Sequence, residues 1–254
     1  MLGNPCQMNE ILKISKEKSI PILEDACESL GAKYDNKFVG THGNVGVFSL
    51  DFAKTITTGE GGLIVSNNKK IINYCREFHD HGHQNNKKKP RGKDTRKIWG
   101  LNLRMTELQA AVGIAQLSKL KFIVKQNQIN KNYIKKRIIK NNFFEYRLIN
   151  SEEELSDTLI LILDNKKRAQ ALTKYLQKYK IGTKNLPDSL DWHFAGNWKH
   201  IFKYSKKYKK NYKNCWKKSR DLLERSIALP ILIKSSKREL DFVIKVINNF
   251  FKTL

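Results

Sequence analysis

The sequence lacks any apolar run of about eighteen residues, the length that crosses a bilayer, so no membrane span is expected. Its first residues, 1–5, show no basic segment followed by an apolar one, which argues against a secretory signal. Four scattered cysteines form no Cys-x-x-Cys pair, so neither a zinc site nor a disulfide framework is indicated, and reduced, buried thiols are expected. These absences favour a globular, cytoplasmic protein.

Acidic residues are scarce beside basic ones: 24 Asp and Glu against 49 Lys and Arg give a net charge of +25. Such a balance is typical of proteins that bind nucleic acid. The densest block, residues 203–218, interleaves lysines with aromatic residues that could stack on bases. The same four-residue spacing describes one face of an ordinary helix. No nucleic-acid-binding motif accompanies the charge, so we prefer solvated lysines and keep a basic nucleic-acid-binding module as the weaker alternative.

Hydrophobic periodicity predicts an α/β chain without internal repeats. A hairpin turn is expected at 35–37 and a long loop at 79–97, where such length usually serves function. A change of character places the domain boundary within 120–142. The predicted helices cover 8–17, 69–78, 106–139, 166–178, 221–226 and 236–251, and the strands cover 19–25, 45–50, 63–65 and 158–163. Two of the helices start with a capping-box pattern, Thr106 with Gln109 and Ser236 with Glu239.

Lys54 lies between a predicted buried strand and a glycine-rich turn, residues 57–62. A sequestered ammonium is costly without a partner, and desolvation exposes a nucleophilic amine suited to Schiff-base formation. A lysine that points into solvent is the alternative. Asp25 ends another short strand, where it could face the pyridinium nitrogen of an electron-sink cofactor. A capping role for Asp25 fits the spacing equally well.

Two segments carry a family resemblance: ILEDACESLGAKYDNKFVGTHGNVGVFSLDFAKTITTGEGG, residues 22–62, and GLNLRMTELQAAVGIAQL, residues 100–117. They resemble the DegT/DnrJ/EryC1/StrS family of sugar aminotransferases, and the similarity continues through ALPI at 228–231. The resemblance implies the α/β fold type I of pyridoxal-phosphate-dependent transferases. It implies a partial large domain, residues 1–125, with a mixed, mostly parallel sheet, and a smaller C-terminal α/β domain, residues 126–254.

The same resemblance implies pyridoxal 5'-phosphate as cofactor and assigns roles around it. Lys54 matches the lysine that holds the cofactor and moves protons, and Asp25 matches the carboxylate that pairs with the pyridine nitrogen. Ser49 matches the serine that hydrogen-bonds the phosphate. Asn102 matches the asparagine that reaches the phosphate from the partner subunit of a homodimer. Glu28 stands where the family usually has Gln or His beside the ring, so it adds a carboxylate there.

Lys54 also favours amino transfer, because one relative with histidine at that position is a sugar dehydratase. The expected ping-pong reaction moves an amino group from an amino acid, glutamate being the first choice, to a keto-sugar. Nucleotide-linked keto-sugars and keto-sugar acids are both candidates, and the product would enter cell-surface polysaccharide or lipopolysaccharide. A metal site at the alternating histidines 79, 81 and 83 is disfavoured, because no acidic or cysteine ligand set lies nearby. The substrate-binding candidates are His81, His83, Arg91, Arg96 and His193.

The family's phosphate-binding loop and its ring-stacking aromatic residue lie before the equivalent of Met1. The resemblance therefore predicts a chain that lacks the family's N-terminal segment. We expect open sheet edges and exposed apolar surface as a result. One hypothesis is an enzyme that works once the missing part is supplied. The other is an inactive remnant that only pairs with an intact subunit.

Overall fold

The computed structural model describes residues 1–151, 153–204 and 215–254. The chain forms two compact units: residues 1–124 together with 149–155, and residues 125–148 together with 156–254. Residues 149–155 return to the first unit, so a single boundary within 120–142 does not describe the division completely. Most of the predicted basic and aromatic block, including Tyr208 and Tyr212, lies outside the described residues.

The first unit contains a mixed sheet whose strand order is β1-β4-β5. Its helices and strands are α1 (Met8–Lys18), β1 (Leu23–Asp25), β2 (Lys33–Tyr34), β3 (Lys37–Phe38), β4 (Val45–Ser49), β5 (Gly62–Val65), α2 (Lys69–Phe78), α3 (Glu107–Leu117) and the start of α4 (Leu120–Arg137). Strands β1 and β4 run parallel, with Asp25 opposite Val47. Strand β5 runs antiparallel to β4, with Gly62 opposite Ser49. The carboxyl ends of β1 and β4 therefore share one edge, where ligands gather in α/β sheets.

The short hairpin of β2 and β3 confirms the predicted turn. Asp35 and Asn36 have φ of 51° and 61°, the left-handed region that two-residue hairpin turns require. Beside it, the buried carboxylate of Glu24 accepts hydrogen bonds from the backbone N–H groups of Gly40 (2.7 Å) and Gly43 (2.5 Å). This clamp fixes the chain that leads into β4.

Two predicted elements have different bounds in the structure. The helix expected over 106–139 is interrupted between α3 and α4. The hydroxyl of Ser118 donates to the carbonyl of Ala115 (2.8 Å), a local bond that competes with helix continuation. The strand expected from residue 19 begins only at Leu23, because Ser19 adopts φ 53° and closes α1 with a backbone bond to Lys16.

The second unit has an antiparallel sheet in the order β6-β7-β8, covered by helices. Its remaining elements are β6 (Phe144–Tyr146), β7 (Thr158–Leu163), α5 (Lys166–Lys178), α6 (Leu190–His193), α7 (Lys199–Phe202), α8 (Lys217–Glu224), β8 (Ser226–Pro230) and α9 (Lys237–Lys252). The helix predicted at 221–226 is wrong at both ends, because α8 starts earlier and Ser226 pairs with Ile162 of the adjacent strand. Residues of β7, β8, α5 and α9 form one large apolar core.

Three further observations concern features that the sequence analysis addressed: the cysteines, the helix caps and membrane-spanning helices. None of the four cysteines is buried: Cys6 is exposed and the other three are half-buried, so the expectation of buried thiols is wrong. Both predicted capping boxes are confirmed, at Thr106 with Gln109 and at Ser236 with Glu239. In the described parts of the chain, no helix combines the length and apolar character needed to cross a membrane.

Candidate functional site

Asp25 ends β1 with an exposed carboxylate at the shared sheet edge. Its Oδ1 accepts a hydrogen bond from the backbone N–H of Cys27 (3.2 Å). Hydrogen bonds from the thiol and the backbone of Cys27 lower the pKa of Asp25, and neighbouring positive charges, Lys54 among them, act in the same direction. Burial, and then the contact with Asp25, raise the pKa of the Cys27 thiol to about 11. At neutral pH this corner holds a carboxylate beside a protonated thiol.

Lys54 lies in the connection between β4 and β5, just beyond the same edge. The backbone N–H of Lys54 donates to Asp51 (3.0 Å), and that of Thr58 donates to Leu50 (3.0 Å), so the connection folds back on itself. The side chain of Lys54 is 26% exposed, and its Nζ lies 3.6 Å from Oε1 of Glu28. Oε2 of Glu28 accepts from the backbone N–H of Leu2 (2.8 Å). Lys54 is thus largely covered and faces a fixed carboxylate.

Ser49 is the last residue of β4 and is half-buried. Its Oγ accepts a hydrogen bond from the backbone N–H of Asp51 (3.2 Å), which leaves the hydroxyl proton to donate elsewhere. The structure therefore brings Asp25, Glu28, Ser49 and Lys54 to one edge of the sheet. These are four of the five residues that the family resemblance assigns to the cofactor.

Asn102, the fifth, lies on a different segment. It pairs with Asp80 through the backbone, and its neighbour Leu103 donates to the carbonyl of His79 (2.9 Å). Within the described chain, no hydrogen bond or ion pair joins Asn102 to Asp25, Ser49 or Lys54. Asn102 is exposed.

An open cleft of about 580 Å³ lies beside this second segment. It gathers four of the five substrate-binding candidates together with residues that sequence reasoning missed. Its lining residues are His81, His83, Arg91, Arg96, Ile98, Trp99, Gly100 and Arg104. The fifth candidate, His193, ends α6 in the second unit, where it is exposed.

Asp80 is the centre of an ion-pair network at the cleft, and its side chain is only 5% exposed. Arg91 donates to both of its oxygens, with Nη1 2.9 Å from Oδ2, and Arg104 donates to Oδ1 as well. The hydrogen bond from Arg91 holds the pKa of Asp80 far below its ordinary value. Burial alone would raise this pKa, but the hydrogen bond from Arg104 also lowers it. Sequence patterns gave no signal for this carboxylate, because its partners lie 11 and 24 residues away.

A second network joins His83, Asp94 and Arg96. The buried ring of His83 lies with Nδ1 3.4 Å from Oδ2 of Asp94 and with Nε2 3.1 Å from Nη2 of Arg96. Burial alone would raise the pKa of Asp94, but hydrogen bonds from the backbone N–H groups of Asn86, Asn85 and Thr95 outweigh it and lower that pKa. A metal site is disfavoured from the sequence on the ground that no acidic ligand set lies near the histidines. The structure does place acidic residues near them. Across the described ranges, no group of three metal-binding side chains is arranged to hold an ion.

The α/β fold of this chain is that of the pyridoxal-phosphate-dependent transferases. The chain belongs to the DegT/DnrJ/EryC1/StrS aminotransferase family, whose model matches residues 1–248. Among curated relatives, GDP-perosamine synthase of Escherichia coli is 37% identical over 140 residues, which is 53% of this chain and 36% of that protein. The UDP-4-amino-4,6-dideoxy-N-acetyl-beta-L-altrosamine transaminase of Campylobacter jejuni is 34% identical over 161 residues, or 63% and 42% of the two chains.

Solved structures give the same fold. Helicobacter pylori PseC, an aminotransferase of pseudoaminic acid biosynthesis, matches 100% of this chain and 65% of its own with a TM-score of 0.79 at 22% identity. An Escherichia coli GDP-4-keto-6-deoxy-D-mannose-3-dehydratase with bound hydrated pyridoxal phosphate matches 97% and 65% with a TM-score of 0.76 at 25% identity. The chain spans about a third to a half of the length of the curated relatives it matches and about two thirds of the solved chains.

Proposed function

We propose that this chain carries the catalytic lysine of a pyridoxal-phosphate-dependent aminotransferase. The enzyme would move an amino group from an amino acid, with glutamate as first choice, to a keto-sugar for cell-surface polysaccharide or lipopolysaccharide. The observation that carries the proposal is the largely covered Lys54 at the same sheet edge as Asp25, within a chain of this aminotransferase family. The first unit would be the cofactor-binding large domain and the second the small domain, with the boundary near residue 125.

The residues at the sheet edge fit the cofactor's chemical groups. A pyridinium nitrogen needs an ionised carboxylate, and the lowered pKa of Asp25 keeps that exposed group ionised. A phosphate needs hydrogen-bond donors, and Ser49 has its hydroxyl proton to give. The cofactor, when bound, supplies an electron sink for the carbon that loses a proton.

The chain's own residues would bind, orient and move protons around that group. The Nζ of Lys54 would carry the proton in both half-reactions, because it is a largely covered amine on a flexible side chain at this edge. Asp25 would keep the ring nitrogen protonated. Glu28, fixed by the backbone of Leu2, would orient the Lys54 ammonium. The extra carboxylate distinguishes this chain from relatives with Gln or His at that position.

A homodimer is part of the proposal, with Asn102 serving the phosphate of the partner subunit. Two features support it. Asn102 has no described contact with the other cofactor candidates, and α3, which follows it, exposes apolar side chains such as Leu108 (82%) and Ile114 (73%). An apolar helix face of this kind marks an interaction surface.

The substrate would be a keto-sugar that carries negative charge, either nucleotide-linked or a keto-sugar acid. The candidates His81, His83, Arg91 and Arg96 line this cationic cleft. A cationic cleft supports an anionic group, because a guanidinium without a carboxylate partner can pair with phosphate or carboxylate through two hydrogen bonds. We keep His193 as a further substrate-binding candidate. The names of relatives that act on GDP- and UDP-linked sugars agree with the nucleotide-linked class.

The visible spectrum of the purified chain after incubation with pyridoxal phosphate and dialysis tests this function. We expect a retained band that borohydride reduction fixes on Lys54, as mapped by peptide mass spectrometry. Lys54→Ala should lose the band. Lys178→Ala, which removes an exposed lysine at the end of α5, should keep it. The absence of a Lys54-specific adduct would contradict cofactor binding and catalysis by this chain alone.

A further inference from the structure

We propose that Arg96 is the guanidinium of the cleft that contacts the ligand's phosphate, and that His83 is the positioning residue that presents it. Arg91 and Arg104 would instead hold the cleft together through Asp80. This inference rests on the proposed function for its ligand class, a phosphate- or diphosphate-bearing substrate. It assigns different roles to cationic residues that the sequence analysis could not distinguish.

The three arginines differ in what they face. Arg91 and Arg104 both donate to the buried carboxylate of Asp80, so their charges are partly neutralised and their guanidinium planes are fixed by that group. A guanidinium that already pairs with a carboxylate has fewer donors and a weaker field for a second anion. Arg91 and Arg104 therefore suit a structural role.

Arg96 is different because its described partner is the ring of His83 and not a carboxylate. Its Nη2 donates to Nε2 of His83 at 3.1 Å, and the described residues place no carboxylate within ion-pair distance of it. A ring nitrogen that accepts through its lone pair orients the guanidinium without cancelling its charge. Arg96 is exposed and lines the cleft, so the remaining donors can pair with a bidentate phosphate.

His83 can accept this bond only in one tautomer, and the nearby carboxylate of Asp94 favours that tautomer. Oδ2 of Asp94 lies 3.4 Å from Nδ1, which favours the proton on that nitrogen and leaves the Nε2 lone pair for Arg96. Asp94 is itself fixed by the backbone N–H groups of Asn85 (2.7 Å) and Thr95 (2.9 Å). A backbone bridge between His83 and Arg96 brings the two ends of the loop together.

Calorimetric titration of the full chain with inorganic pyrophosphate, without pyridoxal phosphate, tests the assignment of the arginines. We expect Arg96→Met to weaken binding about 10- to 100-fold, the range for a hydrogen bond to a charged group. Arg91→Met and Arg104→Met should weaken it less than about threefold while lowering the thermal midpoint. Lys93→Met, which removes an exposed cation of the same loop, controls for net charge.

The role of His83 needs a pair of variants. His83→Phe keeps a ring but removes the acceptor and should weaken pyrophosphate binding as much as Arg96→Met does. His83→Gln returns an acceptor oxygen near the position of Nε2 and should restore most of the affinity. A merely structural role would lower the thermal midpoint in His83→Phe without this rescue of binding.

Several results would overturn the inference: no pyrophosphate binding by the wild-type chain, a larger loss in folded Arg91→Met than in Arg96→Met, or unchanged binding in His83→Phe. If His83→Phe fails to fold, the comparison of the arginine variants still decides. The outcome is independent of the Lys54 adduct. Pyrophosphate binding without that adduct would leave this inference standing and remove the proposed function, and the reverse result would do the opposite.

Discussion

The two units of the molecule are stabilised by different means. The second unit is built around a continuous apolar core in which Leu161, Leu172 and Ile247 are fully buried. Among the described residues, the buried cluster of the first unit is smaller and consists of Ala26, Ala32, Val39, Phe48 and Leu155. Around it, carboxylates such as Glu24 and Asp80 hold loops through hydrogen bonds and ion pairs. Hydrophobic burial is non-directional, whereas hydrogen bonds fix orientation, so the candidate sites lie where polar contacts dominate.

Helices α3 and α9 repeat this contrast on a smaller scale. Both begin with a capping box, so their first turns are equivalent. Helix α9 then buries six side chains, whereas the only buried residue of α3 is Gly113. Local sequence can start a helix, but tertiary packing supplies most of its stability. In the proposed homodimer, the exposed face of α3 is the part of the first unit that the partner subunit would stabilise.

The largest effect is expected in the core of the second unit. Leu161→Ala would leave a cavity at a fully buried position and should lower the free energy of unfolding by about 2–5 kcal/mol. Leu148→Ala, at a leucine that is 87% exposed, should change it by less than about 0.5 kcal/mol. Urea unfolding followed by circular dichroism measures both. Equal effects of the two variants would mean that the core does not dominate this unit.

In the first unit, the position most sensitive to substitution should be Gly46, where two backbone segments lie close together. A Cβ atom on Gly46 would lie 1.8 Å from the carbonyl oxygen of Gly40, so Gly46→Ala must shift one strand or the preceding loop. Overpacking of this kind costs about 1–3 kcal/mol. Gly92→Ala is the matched control, because a Cβ there meets nothing within 4 Å.

Thermal unfolding of the two glycine variants provides the measurement. Gly46→Ala should lower the midpoint and also weaken retention of pyridoxal phosphate, because β4 carries Ser49 to the sheet edge. Gly92→Ala should do neither. A stable Gly46→Ala chain would show that the first unit tolerates movement where the structure shows close contact.

The Asp80 network gives the first unit a specific acid sensitivity. The folded-state pKa of Asp80 is lowered, chiefly by the hydrogen bond from Arg91. The stabilising contribution of this carboxylate is therefore complete above the unfolded pKa of about 4 and is lost as the pH falls below that value. Asp80→Asn should destabilise the folded chain by about 1–3 kcal/mol at neutral pH and flatten the decline below pH 4. Unfolding free energies measured from pH 7 to pH 3 test this. Glu17→Gln, at an exposed position of α1, should leave the acid profile unchanged.

Sequence patterns predicted those structural features that depend on residues close together in the sequence. The capping boxes, the hairpin at Asp35 and Asn36 and the strand before Lys54 all have signals within a few residues. The pairing of Asp80 with Arg104 had none, because it depends on how a long loop folds back, and the exposed Trp99 was missed for the same reason. The interruption at Ser118 was also missed, because the periodicity of apolar residues continues across it. The roles proposed for the sheet-edge residues depend on the family resemblance and stay predictions.

The smallest expected effect compares the two helix caps. Ser236→Ala and Thr106→Ala remove the same bond to the N3 backbone N–H, which contributes about 1 kcal/mol. Because α9 is packed into the core, Ser236→Ala should lower the global free energy of unfolding by about that amount. Helix α3 has no comparable buried face, so loss of Thr106 should fray its first turn while global stability changes little.

Amide hydrogen exchange in α3 distinguishes local fraying from global destabilisation, and urea unfolding measures the global term. Faster exchange confined to the start of α3 in Thr106→Ala is the expected result. A global loss as large as that of Ser236→Ala would show that α3 is already supported in the isolated chain. The side chain of Gln109, which also donates to the carbonyl of Glu60 in the glycine-rich turn (2.8 Å), is the contact that could supply such support. In that case the cap of α3 would stabilise the connection that carries Lys54, and Thr106→Ala should also weaken retention of pyridoxal phosphate.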